Sequence, residues 1–270
     1  MYQQILPLPG TRDTVPVLRF SGFERFPGLV HAVFTRQGGV SRGRFRSLNL
    51  SSGAGDDPVC VAENLERVRK CCGFSDLVIP KQVHGSRVMS VEGGGMPHDC
   101  DAVITRKPGL GLLIRQADCA AVILYDPVAG AVGNVHSGWR GLVENVVGIT
   151  VQAMITEFGC RPERMWAAQS PSLGPCCAEY RDHRRLFPEE LQRYRGHADH
   201  FDFWRAIEDQ LADAGIPGDH VSSAGICTRC NTSRFFSYRA EGVTGRFGTV
   251  AGISKDAGLR CAAGKEAGPG

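Results

Sequence analysis

Three side chains with the chemistry of metal ligands lie in or beside short apolar runs. Cys119 lies within the run formed by residues 114–126, and His136 lies in the next run, formed by residues 131–141. His84 ends a third short run and precedes a glycine. Thiolate and imidazole are ligands that zinc prefers, and three protein ligands leave a fourth position open for water or substrate. These residue types therefore predict a catalytic metal site, in which Cys119 is also a candidate catalytic residue.

A purely structural role is the alternative for each of these residues. The chain contains 11 Cys and 8 His, and a free Cys often fills a core without reacting. Two neighbours favour the functional interpretation, because Asp118 precedes the thiol and Arg140 follows the imidazole. Binding sites gather where strands end in loops. Asp118 is therefore a candidate for general acid–base work or for orienting a ligand.

The hydrophobic pattern predicts many strands and three main helices. Turn residues around the two apolar runs predict a hairpin, in which Cys119 and His136 can face each other. Helical spacing predicts helices at 59–72, 142–158 and 203–215. Because the elements do not alternate strictly as βαβ units, the pattern indicates an α+β fold. The further predicted strands are 30–36, 45–50, 101–105, 111–115, 164–170, 221–226, 234–239 and 248–253.

The composition is that of an ordinary globular protein. The 270 residues are 42% hydrophobic and 22% charged, which is close to the average for soluble domains. A net charge of +3 and the lack of a basic cluster argue against a nucleic-acid partner. The N-terminus lacks the features of a signal peptide, and no run approaches the roughly 18 apolar residues of a membrane span. We therefore expect a cytoplasmic protein without a membrane partner.

The cysteines are interpreted through this expected compartment. The cytoplasm keeps thiols reduced, so the 11 cysteines do not indicate a disulfide framework. Cys227 and Cys230 have the spacing of a zinc or redox pair, but the sequence contains no second pair of that spacing and no histidine near them. We expect both to be structural thiols.

A family resemblance is carried by ten motifs in order along the chain. They include Phe34-Thr-Arg36-Gln-Gly-Gly-Val-Ser41, Ser47-Leu-Asn49-Leu50, Gln82-Val-His84-Gly85, Ala117-Asp118-Cys119, His136-Ser-Gly-Trp-Arg140-Gly141 and Phe235-Phe-Ser-Tyr-Arg239. The chain resembles the multicopper-oxidase-like laccase domain family of bacterial purine nucleoside phosphorylases, also called peptidoglycan editing factors. The resemblance implies packed mixed β-sheets flanked by helices in a single domain at residues 30–253. Residues 1–29 are then an N-terminal extension, and residues 254–270 a flexible tail.

The resemblance also implies a cofactor and a reaction. It implies zinc, with copper as the alternative metal, held by His84, Cys119 and His136. The implied reaction joins phosphate to the ribose of adenosine, inosine or methylthioadenosine and releases the base and ribose 1-phosphate. Adenosine deamination in the same pocket is also implied, because an open zinc site suits both reactions. The expected partners are a small nucleoside and phosphate, and the protein is expected to be a monomer or a homodimer.

Five further residues are candidate substrate ligands. Arg36, Arg46 and Arg140 are expected to hold phosphate, since a guanidinium matches phosphate oxygens in pairs. Asn49 and Gln82 are candidates for the sugar hydroxyls or the base edge. The alternative for these residues is a hydrogen bond that stabilises a turn.

One position departs from the family pattern. Leu65 stands where the family commonly carries an arginine after Asn64. If that arginine holds phosphate, its role passes here to Arg36, Arg46 or Arg67.

Three other functions remain open. The family's older name suggests a copper-dependent polyphenol oxidase, although 8 His, most of them outside the motifs, are too few for a multicopper set. A Cys–His hydrolase would use Cys119 as nucleophile, with His84 or His136 as base, and would fit the editing of a peptidoglycan precursor. A metal-dependent binding module is the non-enzymatic alternative.

Overall fold

Twelve strands in two mixed sheets form the centre of the protein in the computed structural model, which describes residues 1–255. The first sheet contains, in spatial order, β1 (Tyr2–Pro7), β2 (Thr14–Arg19), β3 (Leu29–Phe34), β12 (Phe247–Ile253), β7 (Leu110–Gln116) and β4 (Asp76–Val78). The second contains β11 (Val221–Ser223), β10 (Trp166–Gln169), β8 (Ala120–Asp126), β9 (Ala131–Ser137), β6 (Ala102–Thr105) and β5 (Val88–Ser90). Most neighbours are antiparallel, but β4–β7, β5–β6 and β10–β11 are parallel. The predicted α+β class is confirmed.

Helices cover the outer face of each sheet. They are α1 (Pro58–Cys72), α2 (Trp139–Val143), α3 (Val146–Phe158), α4 (His183–Leu186), α5 (Glu189–Gln192), α6 (Phe203–Asp213) and α7 (Tyr238–Glu241). Val68 of α1 packs in one apolar cluster with Leu113 of the first sheet. Met154 of α3 and Leu211 of α6 pack in another with Val122 of the second sheet. A central cluster lies between the two sheets, so the molecule has four layers.

The predicted hairpin is formed by β8 and β9. The two strands pair in antiparallel register, with Ala121 opposite His136, and every residue in both strands is buried. Because successive side chains of a strand point to opposite faces, both faces of this hairpin must be apolar. Continuous apolar runs, rather than alternating ones, are therefore the signature of these two strands.

A buried amide links the two sheets. Asn134 lies on β9, and its Nδ2 donates to the carbonyl of Leu112 on β7 at 2.9 Å and to that of Thr249 on β12 at 2.8 Å. The side chain is fully buried. A buried amide is stabilising only when it is hydrogen-bonded, so this residue fixes how one sheet lies on the other.

The predicted helix at 142–158 is wrong at its first turn. Asn145 adopts a left-handed conformation with φ of 55°, and its side chain accepts a hydrogen bond from the backbone N–H of Gly148. Asparagine tolerates this conformation and caps helix N-termini well. The chain therefore forms two helices, α2 and α3, and the first of them begins directly after Gly138.

Two predicted strands are also wrong. Residues 45–50 form a loop, because Nδ2 of the buried Asn64 donates to the carbonyls of Ser47 and Asn49 and draws the segment onto α1. Residues 234–239 turn into α7, with the Ser237 side chain accepting from the N–H of Ala240. In both segments the alternating apolar residues anchor a loop to the core, and the segment does not pair as a strand of a sheet.

The structure describes the N-terminal end of the chain and, at the other end, the residues up to 255. Residues 2–7 and 14–19, within the segment interpreted as an N-terminal extension, form β1 and β2 at the edge of the first sheet. Of the predicted tail, residues 256–270 lie outside the described residues. Among residues 1–255, no helix is long and apolar enough to cross a membrane.

Replacing Asn134 should weaken the packing between the sheets. We expect Asn134→Ala to lower the free energy of unfolding by about 1–3 kcal/mol, because two buried carbonyls lose a donor. The measurement is urea unfolding followed by circular dichroism. Gln152→Ala removes an exposed amide on α3 and should change stability by less than about 0.5 kcal/mol. Equal effects of the two substitutions would show that Asn134 does not link the sheets.

Candidate active site

The structure brings His84, Cys119 and His136 together. Cys119 directly precedes β8, His136 lies on β9, and His84 lies in the loop between β4 and β5. One ligand atom of each lies within 4.8 Å of those of the other two, and the imidazole centroids are 4.9 Å apart. Pairing of β8 with β9 supplies two of the three residues. The third depends on how the His84 loop is held.

Asp101 holds that loop, and sequence reasoning missed it. Its carboxylate is fully buried and accepts hydrogen bonds from the backbone N–H groups of Val83, His84 and Gly85 at 2.8–3.1 Å. Its Oδ1 also lies 2.7 Å from Nδ1 of His136. With Nδ1 bonded to the carboxylate, Nε2 of His136 is free to bind a metal. One sign of it stands in the sequence, because Asp101 is the charged first residue of the predicted strand 101–105, but its partners lie far along the chain.

Electrostatic coupling favours ionised forms of these side chains. Burial raises the pKa of Cys119, but the charge and hydrogen bonds of His136 and His84 outweigh burial and lower it. Burial lowers the pKa of His136, but Cys119 and Asp101 outweigh burial and raise it. For Asp101, burial raises the pKa, but the hydrogen bond and charge of His136 together with the backbone N–H groups of Gly85 and Val83 outweigh burial and lower it. The thiolate is the form of Cys119 that can bind a metal or act as a nucleophile, whereas His136 must release its Nε2 proton before that atom can bind a metal.

Gly138 leaves the space in which the ligand atoms meet. A Cβ at this position would lie 3.0 Å from Sγ of Cys119 and 3.0 Å from Nδ1 of His84. Its φ is −83°, so the backbone itself accepts any residue. The requirement for glycine is therefore one of space beside the trio.

The trio lies in the wall of a cavity of about 530 Å³. The cavity also has an aromatic part and a cationic part. Its aromatic residues are Trp139, Tyr180, Phe203 and Tyr238, and its cationic residues are Lys81, Arg115, Arg140, Arg239 and Arg246. The cavity is large enough for a small organic ligand.

The five cations form no ion pair with a carboxylate within residues 1–255. Arg115 donates to the carbonyl of Pro80, and Arg246 donates to those of Thr244 and Gly245. Burial lowers the pKa of Arg115, and the charge of Arg246 lowers it further. Neighbouring guanidinium groups that form no ion pair among the described residues favour an anionic ligand.

Three predicted site residues line the cavity, and they differ in how far their side chains are already engaged by other residues. Asp118 accepts hydrogen bonds from Thr228, Ser237 and the backbone N–H of Arg239 at 2.6–2.7 Å, so both of its oxygens are engaged. Gln82 uses both ends of its amide on the backbone of Arg115. The Arg140 guanidinium lies 4.5 Å above the ring of its neighbour Trp139.

Three other predicted residues lie elsewhere. Arg36 and Arg46 line a separate depression, where Arg36 forms a 2.9 Å ion pair with Glu241. Asn49 is fully buried, and its side chain bonds to Asp56 and to the backbone of Ser51 and Arg246. Arg67, considered as a substitute for the arginine missing at position 65, pairs with Asp13 and Glu63. The structure does not bring these residues to the metal-ligand trio.

Two polar side chains in the cavity wall were not predicted. Gln169 is fully buried on β10, and neither its amide nitrogen nor its amide oxygen has a partner in the part of the chain that is described. The hydroxyl of Ser137 is likewise without a partner there. An unpaired buried amide calls for a ligand or a water. Only a weak sequence signal marks Gln169, which is a glutamine at the end of the apolar strand Trp166–Gln169.

Comparison with known proteins confirms the predicted family resemblance. The family model described as multi-copper polyphenol oxidoreductase laccase matches residues 30–254. A Deinococcus radiodurans protein named purine nucleoside phosphorylase is 37% identical over 247 residues, which cover 87% of this chain and 94% of the relative. A Bacteroides thetaiotaomicron protein of the same name is 32% identical over 250 residues, covering 84% of this chain and 92% of the relative. The crystal structure of YlmD from Geobacillus stearothermophilus matches with a TM-score of 0.81 and 30% identity, covering 93% of this chain and all of that one.

Weakening the support of the His84 loop should weaken metal binding. We expect Asp101→Asn to lower zinc affinity about 10–100-fold, because an amide cannot accept all four hydrogen bonds. Competition with a chromophoric chelator measures the affinity. Asp219→Asn, at an exposed position, is the matched control and should leave the affinity unchanged. An unchanged affinity in Asp101→Asn would remove Asp101 from the support of the site.

Filling the space at Gly138 should also displace the ligands. We expect Gly138→Ala to fold and to bind zinc about tenfold or more weakly, given the ~1–3 kcal/mol cost of overpacking. Gly218→Ala is the control, since a Cβ there meets no atom within 4 Å. Equal zinc content at limiting zinc in the two variants would contradict the steric argument.

Proposed function

The chain belongs to the multi-copper polyphenol oxidoreductase laccase family, and from that membership we propose that it is a zinc-dependent purine nucleoside phosphorylase. The observation that carries the proposal is the placement of five unpaired cations in the same cavity as the His84, Cys119 and His136 trio. Relatives named purine nucleoside phosphorylase support it. The substrates proposed are adenosine and inosine, with phosphate as the second reactant.

The residues present fit a zinc ion. Two imidazoles and a thiolate offer three ligand atoms, and the hydrogen bond from His136 to Asp101 is the outer support that zinc histidines commonly have. Zinc bound there would supply Lewis acidity, which suits activation of a substrate oxygen and of water at neutral pH.

The cationic residues are assigned to phosphate. Arg115 and Arg246 are close enough for the charge of one to lower the pKa of the other, so a phosphate between them would relieve their repulsion. Arg239, whose guanidinium lies 5.2 Å from the ring of Tyr180, places a third positive charge at the aromatic side. This assignment replaces Arg36 and Arg46 with arginines that line the cavity.

The aromatic residues are assigned to the purine. Tyr180, Phe203 and Trp139 offer flat apolar faces on which a base can stack. The unpaired amide of Gln169 offers a donor and an acceptor to the edge of the base. Asp118, with both oxygens engaged, positions Cys119 and the Arg239 loop and does not carry a proton in this scheme.

The reaction balances without a further reactant. An oxygen of hydrogen phosphate forms a bond to C1′ of the ribose while the bond from C1′ to the purine nitrogen breaks. Hydrogen phosphate loses one proton, and the departing purine takes up one proton at the nitrogen that was bonded to C1′. Guanidinium groups around the phosphate hold it in line with C1′, which is the positioning contribution to the rate. Adenosine deamination in the same cavity is the proposed side reaction, in which the oxygen of water forms a bond to C6 of the purine and ammonia leaves.

A Cys–His hydrolase is the second candidate, because Cys119, His136 and Asp101 follow one another as nucleophile, base and orienting carboxylate do. This activity would fit the editing of a peptidoglycan precursor. It needs a free Cys119 sulfur, whereas the phosphorylase uses that sulfur as a ligand. Treatment with a chelator should therefore abolish nucleoside cleavage and would leave or raise a hydrolase activity.

A copper polyphenol oxidase is not supported by the ligands present. Within the described residues, the trio and one group of four cysteines are the sets of three or more metal-ligand side chains that lie close together. Neither supplies the additional imidazoles of a multicopper centre.

The test incubates purified protein with adenosine or inosine, with and without phosphate, and separates the products by chromatography. We expect free base and ribose 1-phosphate only with phosphate. Arg246→Gln should raise the KM for phosphate roughly tenfold or more, in line with loss of a charged hydrogen bond. Base release without any dependence on phosphate, or none at all, would overturn the proposal.

Arg44→Gln is the control for this variant, since Arg44 is exposed on the segment that carries Arg46. Its KM for phosphate should be that of the unmodified protein. If Arg46→Gln raised the KM for phosphate more than Arg246→Gln did, phosphate would bind in the separate depression that Arg46 lines, and the assignment would be contradicted.

A further inference from the structure

Four cysteines from two distant segments meet on one side of the molecule. Cys176 and Cys177 lie in a turn after β10, and Cys227 and Cys230 lie in the loop after β11. All four sulfurs lie within 4.8 Å of one another. The sequence prediction of plain structural thiols for the second pair depended on the absence of another CxxC. The partners of Cys227 and Cys230 are instead the adjacent residues Cys176 and Cys177, which do not have the CxxC spacing.

The separations match a tetrahedral ion. Sγ of Cys230 lies 3.5 Å from that of Cys177 and 3.7 Å from that of Cys176. Four thiolates at about 2.3 Å from a tetrahedral zinc ion are about 3.8 Å apart, whereas a disulfide needs about 2.05 Å. All four thiols are free in the structure. The two separations from Cys230 are therefore close to those of thiolates around one zinc ion, and all four sulfurs lie within 4.8 Å of one another.

Hydrogen-bond donors face two of the four sulfurs. The backbone N–H groups of Gly174 and Cys230 donate to the sulfur of Cys227, and a side-chain hydrogen bond joins Arg229 to Cys177. Four thiolates around a divalent ion carry a net charge of −2, which N–H donors and a guanidinium offset. Cys177 and Cys227 are buried while Cys176 and Cys230 are exposed, so the ion would have a path of entry.

We propose that Cys176, Cys177, Cys227 and Cys230 bind a structural zinc ion, separate from the metal site in the cavity. Four protein ligands close the coordination shell, so this ion has no open position for a substrate. It joins the turn that leads to Tyr180 to the loop that carries Thr228, and Thr228 in turn donates to Asp118. The second zinc therefore cross-links two segments that form one wall of the cavity.

Zinc content tests the proposal. Protein made in zinc-replete medium should contain about two zinc ions per chain. The variant His84→Ala and the double variant Cys176→Ser/Cys230→Ser should each contain about one zinc ion per chain. The double variant changes the two exposed cysteines, so the buried pair stays in place. Cys60→Ser/Cys71→Ser, with two cysteines outside the cluster, should keep both ions.

Cobalt substitution distinguishes the two sites. A four-thiolate cobalt centre has visible bands at longer wavelength and of higher intensity than those of a centre with one thiolate. These bands should persist in His84→Ala and disappear in Cys176→Ser/Cys230→Ser, while thermal unfolding shows both variants to be folded. Retention of the bands and of full zinc content in the double cysteine variant would overturn the proposal. So would a disulfide within the cluster of the purified protein, detected by alkylation under denaturing conditions and mass spectrometry.

Discussion

The buried carboxylate of Asp101 is the constraint on which the metal-ligand trio depends. Burying a charge is unfavourable unless it is paired and hydrogen-bonded, and Asp101 meets that condition with three backbone N–H groups and the His136 imidazole. To bring those N–H groups onto one carboxylate, the loop must curl, and His84 takes a left-handed φ of 62°. The same curl turns the ligand-bearing residue toward Cys119. The geometry of the trio thus follows from satisfying one buried charge.

The sheets place this carboxylate where it can act. Asp101 directly precedes β6, which pairs with β9 so that Ala102 lies opposite Val135. The next residue of β9, His136, donates its backbone N–H to the carbonyl of Asp101 at 2.6 Å and its side chain meets the carboxylate. Asn134, two residues earlier on β9, fixes the same strand to the other sheet. A strand held on both sides is a rigid support for a ligand.

Sequence reasoning found what residue type and local pattern reveal. It found the trio's members, the β8–β9 hairpin and helix α1, whose start is marked by the Asp57 cap before Pro58. It did not find Asp101 or Gln169, because each is one polar residue beside a buried strand and gains its significance from partners far along the chain. The arginines illustrate the same limit. Arg36 and Arg246 both stand in family motifs, but among the described residues Arg36 pairs with Glu241 away from the cavity, while Arg246 lines the cavity and forms no ion pair.

One wall of the cavity is stabilised differently from the rest. Residues 172–178 and 227–230 contribute only a small apolar cluster, in which two of the four buried residues, Cys177 and Cys227, are cysteines. Polar contacts replace the missing apolar area, and Asp118 provides three of them. Regions with few buried apolar contacts open at lower free energy than the core. Admission of a ligand can therefore depend on these loops, while the sheets keep the trio in place.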